Sequence, residues 1–241
     1  MAQIIDGKKI STQIKDEVKE QVAALKQKGS DVTLAVIQVG KDPASTVYVG
    51  NKKKACEYVG IRSLAYELPE ETSEQELLEL VQSLNAKEDV DGILVQLPLP
   101  KHIDEDKVIR TISPDKDVDG FHPESVGRLS IGQPGFVSCT PAGIIQLLKR
   151  SGITIDGKEC VIIGRSNIVG KPMGMLLLRE NGTVTICHSH TPDLKTVAKR
   201  ADILVVAIGK AKFVDASYVK DGAAVIDVGM DRDAKNKLPL R

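Results

Sequence analysis

Tyr48 and Lys52 stand four residues apart in the stretch Tyr48-Val49-Gly50-Asn51-Lys52. In a helix that spacing puts an aromatic ring and an ammonium on one face. The ring can stack on a flat substrate, and a lysine one turn away can move protons. The competing reading is a solvated helix, because Lys52, Lys53 and Lys54 form a run, and runs of charge are commonly just exposed. Two further polar groups bear on the choice. Gln96 lies in the strand-like run Gly92-Ile93-Leu94-Val95-Gln96-Leu97, which Pro98-Leu99-Pro100 breaks. Asp119 lies in Asp115-Lys116-Asp117-Val118-Asp119-Gly120-Phe121, which reads either as a third polar cluster or as a solvated turn.

The elements around these residues say where they would sit. Residues 8–28 have apolar groups near helical spacing at Ile10, Ile14, Val18, Val22 and Leu25, with Gly29 after them. A strand is expected at 34–39. Ser45 is expected to cap the following helix, which carries Tyr48 and Lys52 and stops at Gly60. A short strand follows near 61–67. Then comes a helix with Ser73 and Glu76 in capping-box spacing, and then the strand of Gln96. Strands separated by helices imply a parallel sheet, whose carboxyl edge is where ligands bind. Gln96 and the Tyr48/Lys52 helix both follow strand ends, so both fall on that edge.

A linker is expected at 122–138, where Gly and Pro interrupt any period. Thr140 and Pro141 then open a helix as cap and first helical residue. Beyond it the βα alternation is clearer, with strands near 160–163, 183–187, 203–207 and 223–227. Gly209 and Gly229 follow the last two, where backbone can approach a ligand. Between the first of these strands and its helix lies Gly164-Arg165-Ser166-Asn167-Ile168-Val169-Gly170, which is not the standard Gly-x-Gly-x-x-Gly. Alone it reads equally as an ordinary turn. Its strand-before, helix-after context makes it a phosphate loop, with the helix N-terminus and the Ser166 hydroxyl as donors. NAD sites carry an acidic residue about 20 positions on. Here that region is Cys187-His188-Ser189-His190-Thr191, and Arg165 lies in the loop, so the pattern leans to NADP. His188 and His190 read as cofactor neighbours or surface residues rather than metal ligands.

The 241 residues suit one large or two ordinary domains. Lys+Arg and Asp+Glu are 33 each, which removes a bulk electrostatic case for nucleic acid or an anionic membrane. No apolar run reaches membrane-span length, and the N-terminus lacks a secretory pattern. Cys56, Cys139, Cys160 and Cys187 are far apart, which argues against a zinc site or disulfide scaffold and for reduced thiols in a cytoplasmic protein.

Taken together, these stretches resemble the bifunctional methylenetetrahydrofolate dehydrogenase/methenyltetrahydrofolate cyclohydrolase family. The matching segments run in family order. They are residues 45–54, 92–100, Pro114 through Phe121, Cys139-Thr140-Pro141-Ala142-Gly143, and the loop from Gly164 into Lys171-Pro172. The resemblance implies an α/β fold of two domains with a cleft between them. Residues 1–138 would be a parallel α/β catalytic domain that binds tetrahydrofolate, and 139–241 a Rossmann-type NADP-binding domain. It implies that Tyr48 stacks on the folate rings, Lys52 serves the cyclohydrolase step, Gln96 bonds Lys52 and Asp119 holds the pterin. Ser45, Val95, Leu97 and Pro98 would line the same site. Gly164, Arg165, Ser166, Val169, Gly170, Pro172, His188, Ser189, Ile208 and Gly209 would surround NADP, with Arg165, Ser166 and Ser189 nearest the 2′-phosphate. No metal is expected, and a homodimer is. The family pattern continues with a strand, a Pro-Gly-Gly-Val-Gly-Pro segment and a last helix, and the sequence given runs to Arg241 before them.

Two alternatives stay open on the sequence. Tyr-x-x-x-Lys is also the dyad of short-chain dehydrogenases, although there it follows the dinucleotide loop and here it precedes it. The other is a folate- or nucleotide-binding module without turnover.

Overall fold

The computed structural model describes residues 3–228. The chain divides into two compact units, Met1–Arg128 and Leu129–Arg241. Gly229 and the residues after it lie outside the described part, so the expectation placed on Gly229 does too.

The first unit opens with helix α1 (Gly7–Gln27), capped by Asp6, whose side chain accepts from Lys9 N–H at 2.9 Å. Strand β1 (Thr33–Val39) leads into α2 (Pro43–Val59). The cap of α2 is Asp42, accepting from Ser45 N–H at 2.8 Å, and not Ser45. Asp42-Pro43 supplies both an N-cap acceptor and a pre-set first φ, so the helix starts before Ser45, which ends buried in the first turn. Gly60, at φ 88°, ends α2 in the left-handed region. Then follow β2 (Arg62–Leu68), α3 (Glu74–Ala86), β3 (Gly92–Val95) and α4 (Glu105–Thr111). Ser73 and Glu76 form the expected capping box. The strand order is β2-β1-β3, all parallel.

Alternation along β1 builds two packed faces. Ala35, Ile37 and Val39 meet Leu77, Val81 and Leu84 of α3 and Val108 of α4, while Val36 meets Val49 of α2 and Leu94 of β3. Each fully buried Leu or Ile of this kind contributes about 1.5–3 kcal/mol. Of the α1 residues expected to face inward, Ile10 and Val22 are buried and Leu25 is exposed.

The stretch 122–138, read as a linker, holds an eight-residue helix, α5 (Pro123–Ser130). Its start is fixed by local polar bonds and not by an apolar period. Next is α6 (Cys139–Arg150), whose N-cap residue is Ser138 and not Thr140. Thr140 and Pro141 thus fall inside the first turn. The second unit continues with β4 (Glu159–Ile163), α7 (Gly170–Arg179), β5 (Thr183–Cys187), α8 (Leu194–Lys199), β6 (Ile203–Val206), a 3₁₀ turn (Ala216–Tyr218) and β7 (Ala224–Asp227). Its parallel sheet has the order β5-β4-β6-β7. Ala198 of α8 packs with Val161, Ile163, Leu204 and Val206 on one face. On the other, α7 approaches so closely that a Cβ on Gly174 would lie 2.8 Å from Ile186 Cδ1.

Candidate active site

In the first sheet the chain leaves β1 to β2 on one side and to β3 on the other. The gap beyond the carboxyl ends of β1 and β3 is therefore the switch point where α/β sheets bind ligands. Helix α2 springs from the end of β1 and Gln96 directly follows β3. Across that gap Lys52 Nζ donates to Gln96 Oε1 at 3.2 Å. Gln96 is held for the purpose. Its backbone N–H extends the ladder to Ile37 O at 2.8 Å, and its Nε2 donates to Leu97 O at 2.7 Å, which turns Oε1 toward the lysine. Tyr48 lies one turn before Lys52 on the same helix and is 40% exposed, so its ring is presented rather than packed away. Lys53 and Lys54 are exposed.

Asp119 joins this edge. Burial is the main cause that raises its carboxyl above the usual range; Lys52 opposes the shift and the Asp117 carboxylate adds to it. The influence of Lys52 puts the two in one electrostatic neighbourhood. Asp117 itself is buried and accepts from His122 N–H at 2.8 Å and from Ser125 Oγ at 2.7 Å. Gly120 N–H closes the turn on Asp117 O at 3.0 Å. Of the remaining expected lining residues, Val95 and Ser45 are buried, Leu97 is half-buried and Pro98 is exposed after a cis Leu97–Pro98 bond. Sequence reading missed Asp117, although it lay inside the stretch singled out.

In the second sheet the switch point lies between β4 and β6, and the 164–170 loop sits there. A Cβ on Gly164 would be 2.5 Å from Ala207 O, and one on Gly170 would be 2.3 Å from Gly164 O. Only glycine permits this close fold of main chain on main chain. Arg165 and Ser166 are exposed on its outer side. Ser166 Oγ accepts from the N–H groups of Val169 and Gly170 at 3.2 and 3.3 Å, and its carbonyl accepts from Lys171 N–H at 3.0 Å. Pro172 has no N–H. The N–H groups of Val169, Gly170 and Lys171 at the start of α7 are thus bonded to Ser166. The helix dipole and the exposed residues 165–168 remain on that side. His188, Ser189 and His190 follow the end of β5, and His190 N–H donates to His188 Nδ1 at 3.2 Å. Ile208 and Gly209 follow β6, with Gly209 at φ 58°. Ser138 is a residue that sequence reasoning missed here. It is buried and its Oγ donates to Ile168 O at 2.6 Å, tying the start of α6 to the loop.

Among the described residues no cluster of His, Cys, Asp and Glu could hold a metal ion. Cys56, Cys160 and Cys187 are buried and Cys139 is exposed, and no disulfide joins any of them. Burial pushes Cys160 up to about 11.

The family model for the tetrahydrofolate dehydrogenase/cyclohydrolase catalytic domain matches residues 5–119, and the model for the NAD(P)-binding domain of the same family matches residues 138–239. A "Bifunctional protein FolD" of Lachnoclostridium phytofermentans is 75% identical over 238 residues, covering 99% of this chain and 84% of the relative. The crystal structure of the bifunctional FolD from Campylobacter jejuni is 48% identical with a TM-score of 0.95, covering 98% of this chain and 84% of that one. The Trypanosoma brucei enzyme, solved with NADP cofactor and inhibitor, is 40% identical with a TM-score of 0.90, covering 95% of this chain and 80% of that one. Two switch-point sites of different make, each inside the matching family domain, agree with these likenesses. The chain belongs to the tetrahydrofolate dehydrogenase/cyclohydrolase family.

Proposed function

We propose that Lys52, Tyr48, Gln96 and Asp119 carry the folate chemistry, and that the 164–170 loop with His188, Ser189, Ile208 and Gly209 holds the nucleotide. The chain is an NADP-dependent methylenetetrahydrofolate dehydrogenase and methenyltetrahydrofolate cyclohydrolase. The observation that carries the residue assignment is the Lys52–Gln96 bond at the switch point, with Asp119 in the field of the same lysine.

NADP held by the 164–170 loop would supply the acceptor for the hydride that leaves the methylene bridge. The substrate's bridging carbon lies between two nitrogens, so this step needs placement more than a strong base. Tyr48 provides the stacking surface and Asp119 a carboxyl to grip the pterin edge. The close-folded glycines and the exposed Arg165 guanidinium fit a dinucleotide with a 2′-phosphate. In the hydrolytic step, water oxygen bonds to the methenyl carbon and gives up a proton. The bond from that carbon to N5 then breaks as the added hydroxyl loses its own proton and becomes the formyl C=O; of the two protons released by water, one ends on N5 and the other leaves to solvent. Lys52 relays protons between these atoms, and Gln96 fixes its ammonium end by the 3.2 Å bond.

The functional division we propose is 1–138 for folate and 139–241 for NADP. The resemblance supports a cytoplasmic homodimer, and a sedimentation mass of one chain at micromolar concentration would remove the dimer. Among the described residues no helix is long and apolar enough to cross a membrane. Paired absorbance assays test the function: NADPH formation from methylenetetrahydrofolate and decay of methenyltetrahydrofolate are both expected. Binding of folate and NADP with neither turnover would favour a binding module.

A further inference from the structure

The strand β3 has a partner beyond β1. Ile93 forms a parallel bridge with Asp117, and Ile93 N–H donates to Lys116 O at 2.8 Å. Gln96 comes three residues after Ile93 and Asp119 two after Asp117, so this bridge brings both functional groups to one edge of the sheet. What holds the bridging segment in that register is polar and remote in sequence. Lys116 Nζ donates to Leu84 O at 3.2 Å, Asn85 O at 2.9 Å and Lys87 O at 2.6 Å, the carbonyls at the end of α3. A cation on these carbonyls is favoured by the helix dipole as well as by the bonds. Asn85 adds a second tie, donating to Thr111 O at 2.6 Å and accepting from Ser113 N–H at 2.9 Å. On the sheet side Val118 lies flat on Gly92, where a Cβ would be 2.4 Å from Val118 Cγ1. The segment is thus clamped between α3 and β3, and Asp119 leaves it immediately.

We propose that Lys116, together with Asn85, is a positioning residue of the folate site: by clamping the 111–117 segment to the end of α3 it sets where Asp119 stands relative to Gln96 and Lys52. Lys116 itself touches no substrate. The proposal rests on the reading of Asp119 as a substrate contact. It explains why a lysine inside an acidic turn is half-buried and turned away from Asp115, Asp117 and Asp119.

Lys116→Met keeps the length of the stem and removes its donors. The folate KM is expected to rise about tenfold, the scale of one charge-assisted hydrogen bond, with the NADP KM within about twofold. Lys116→Arg is expected to recover most of the loss. Asn85→Ala, which leaves the ammonium in place, is expected to raise the folate KM less, and it carries the test should Lys116→Met not fold. In a cycle with Asp119→Ala, the Lys116→Met effect on the folate KM is expected to shrink below about threefold, because the positioned group is gone. A folate KM within twofold of the parent in both Lys116→Met and Asn85→Ala would overturn the proposal. So would an undiminished effect on the Asp119→Ala background, or an equal rise in the NADP KM, which marks a merely structural lysine. Asp119→Ala with an unchanged folate KM would instead overturn the reading of Asp119, and the clamp with it.

Discussion

In the sheet β2-β1-β3 the chain leaves its first strand to both sides, and in the sheet β5-β4-β6-β7 it does the same. Both leave a gap at the carboxyl edge, yet the gaps are furnished differently. The first is furnished with side chains: Lys52 on a helix, Gln96 after a strand, Asp119 on a clamped turn. The second is furnished with main chain, folded so tightly that the missing Cβ atoms of Gly164 and Gly170 are what make it possible. On the assignment proposed above, the contrast follows from the task. Proton movement needs titratable groups at fixed points, whereas holding a dinucleotide needs backbone that can come close. One side should therefore be broken by removing atoms and the other by adding one.

Gly170→Ala adds one carbon 2.3 Å from Gly164 O. The dehydrogenase kcat/KM for NADP is expected to fall about a hundredfold, because displacements near 1 Å can cost that much. Cyclohydrolase turnover of supplied methenyltetrahydrofolate should stay within a few fold. Unchanged NADP kinetics would break the comparison. Arg165→Ala sharpens it at smaller cost, since the exposed side chain adds charge to a cradle that main chain has already shaped. Its NADP KM is expected to rise about ten- to a hundredfold, with NAD turnover and thermal stability little changed. The smallest effect is on stability. The Asp119 carboxyl is raised by burial, so its ionisation opposes folding as pH rises from the ordinary carboxylate range through the higher folded value. Asp119→Asn should therefore be a few degrees more stable than the parent at pH 7 and no more stable at pH 3, by thermal melts, while folate binding weakens.

Much of the first site was legible because strand ends and helix starts are. Lys52 and Gln96 each follow a strand of one parallel sheet, β1 and β3, and that alone sends them to one edge. The errors have local causes. Asp42-Pro43 outcompeted Ser45 for the cap, a signal present in the sequence. Helix α5 had no apolar period to read, because Val126 is exposed and Ser125 faces inward to Asp117. Helix α4 is seven residues long with Val108 as its buried residue. The clamp could not be read at all. Lys116 bonds backbone carbonyls some 30 residues away, and carbonyls leave no mark in a sequence. Ser138 is hidden for the same reason, since its partner is Ile168 O.

The central claim is that the proton chemistry resides in Lys52 and the hydride site does not depend on it. It is tested most directly by measuring both turnovers in Lys52→Ala. Cyclohydrolase is expected to fall by about two to four orders of magnitude, the usual scale for a lost acid–base group, with the folate KM changed far less. Dehydrogenase turnover should persist. Near-normal cyclohydrolase turnover in that variant would contradict the account.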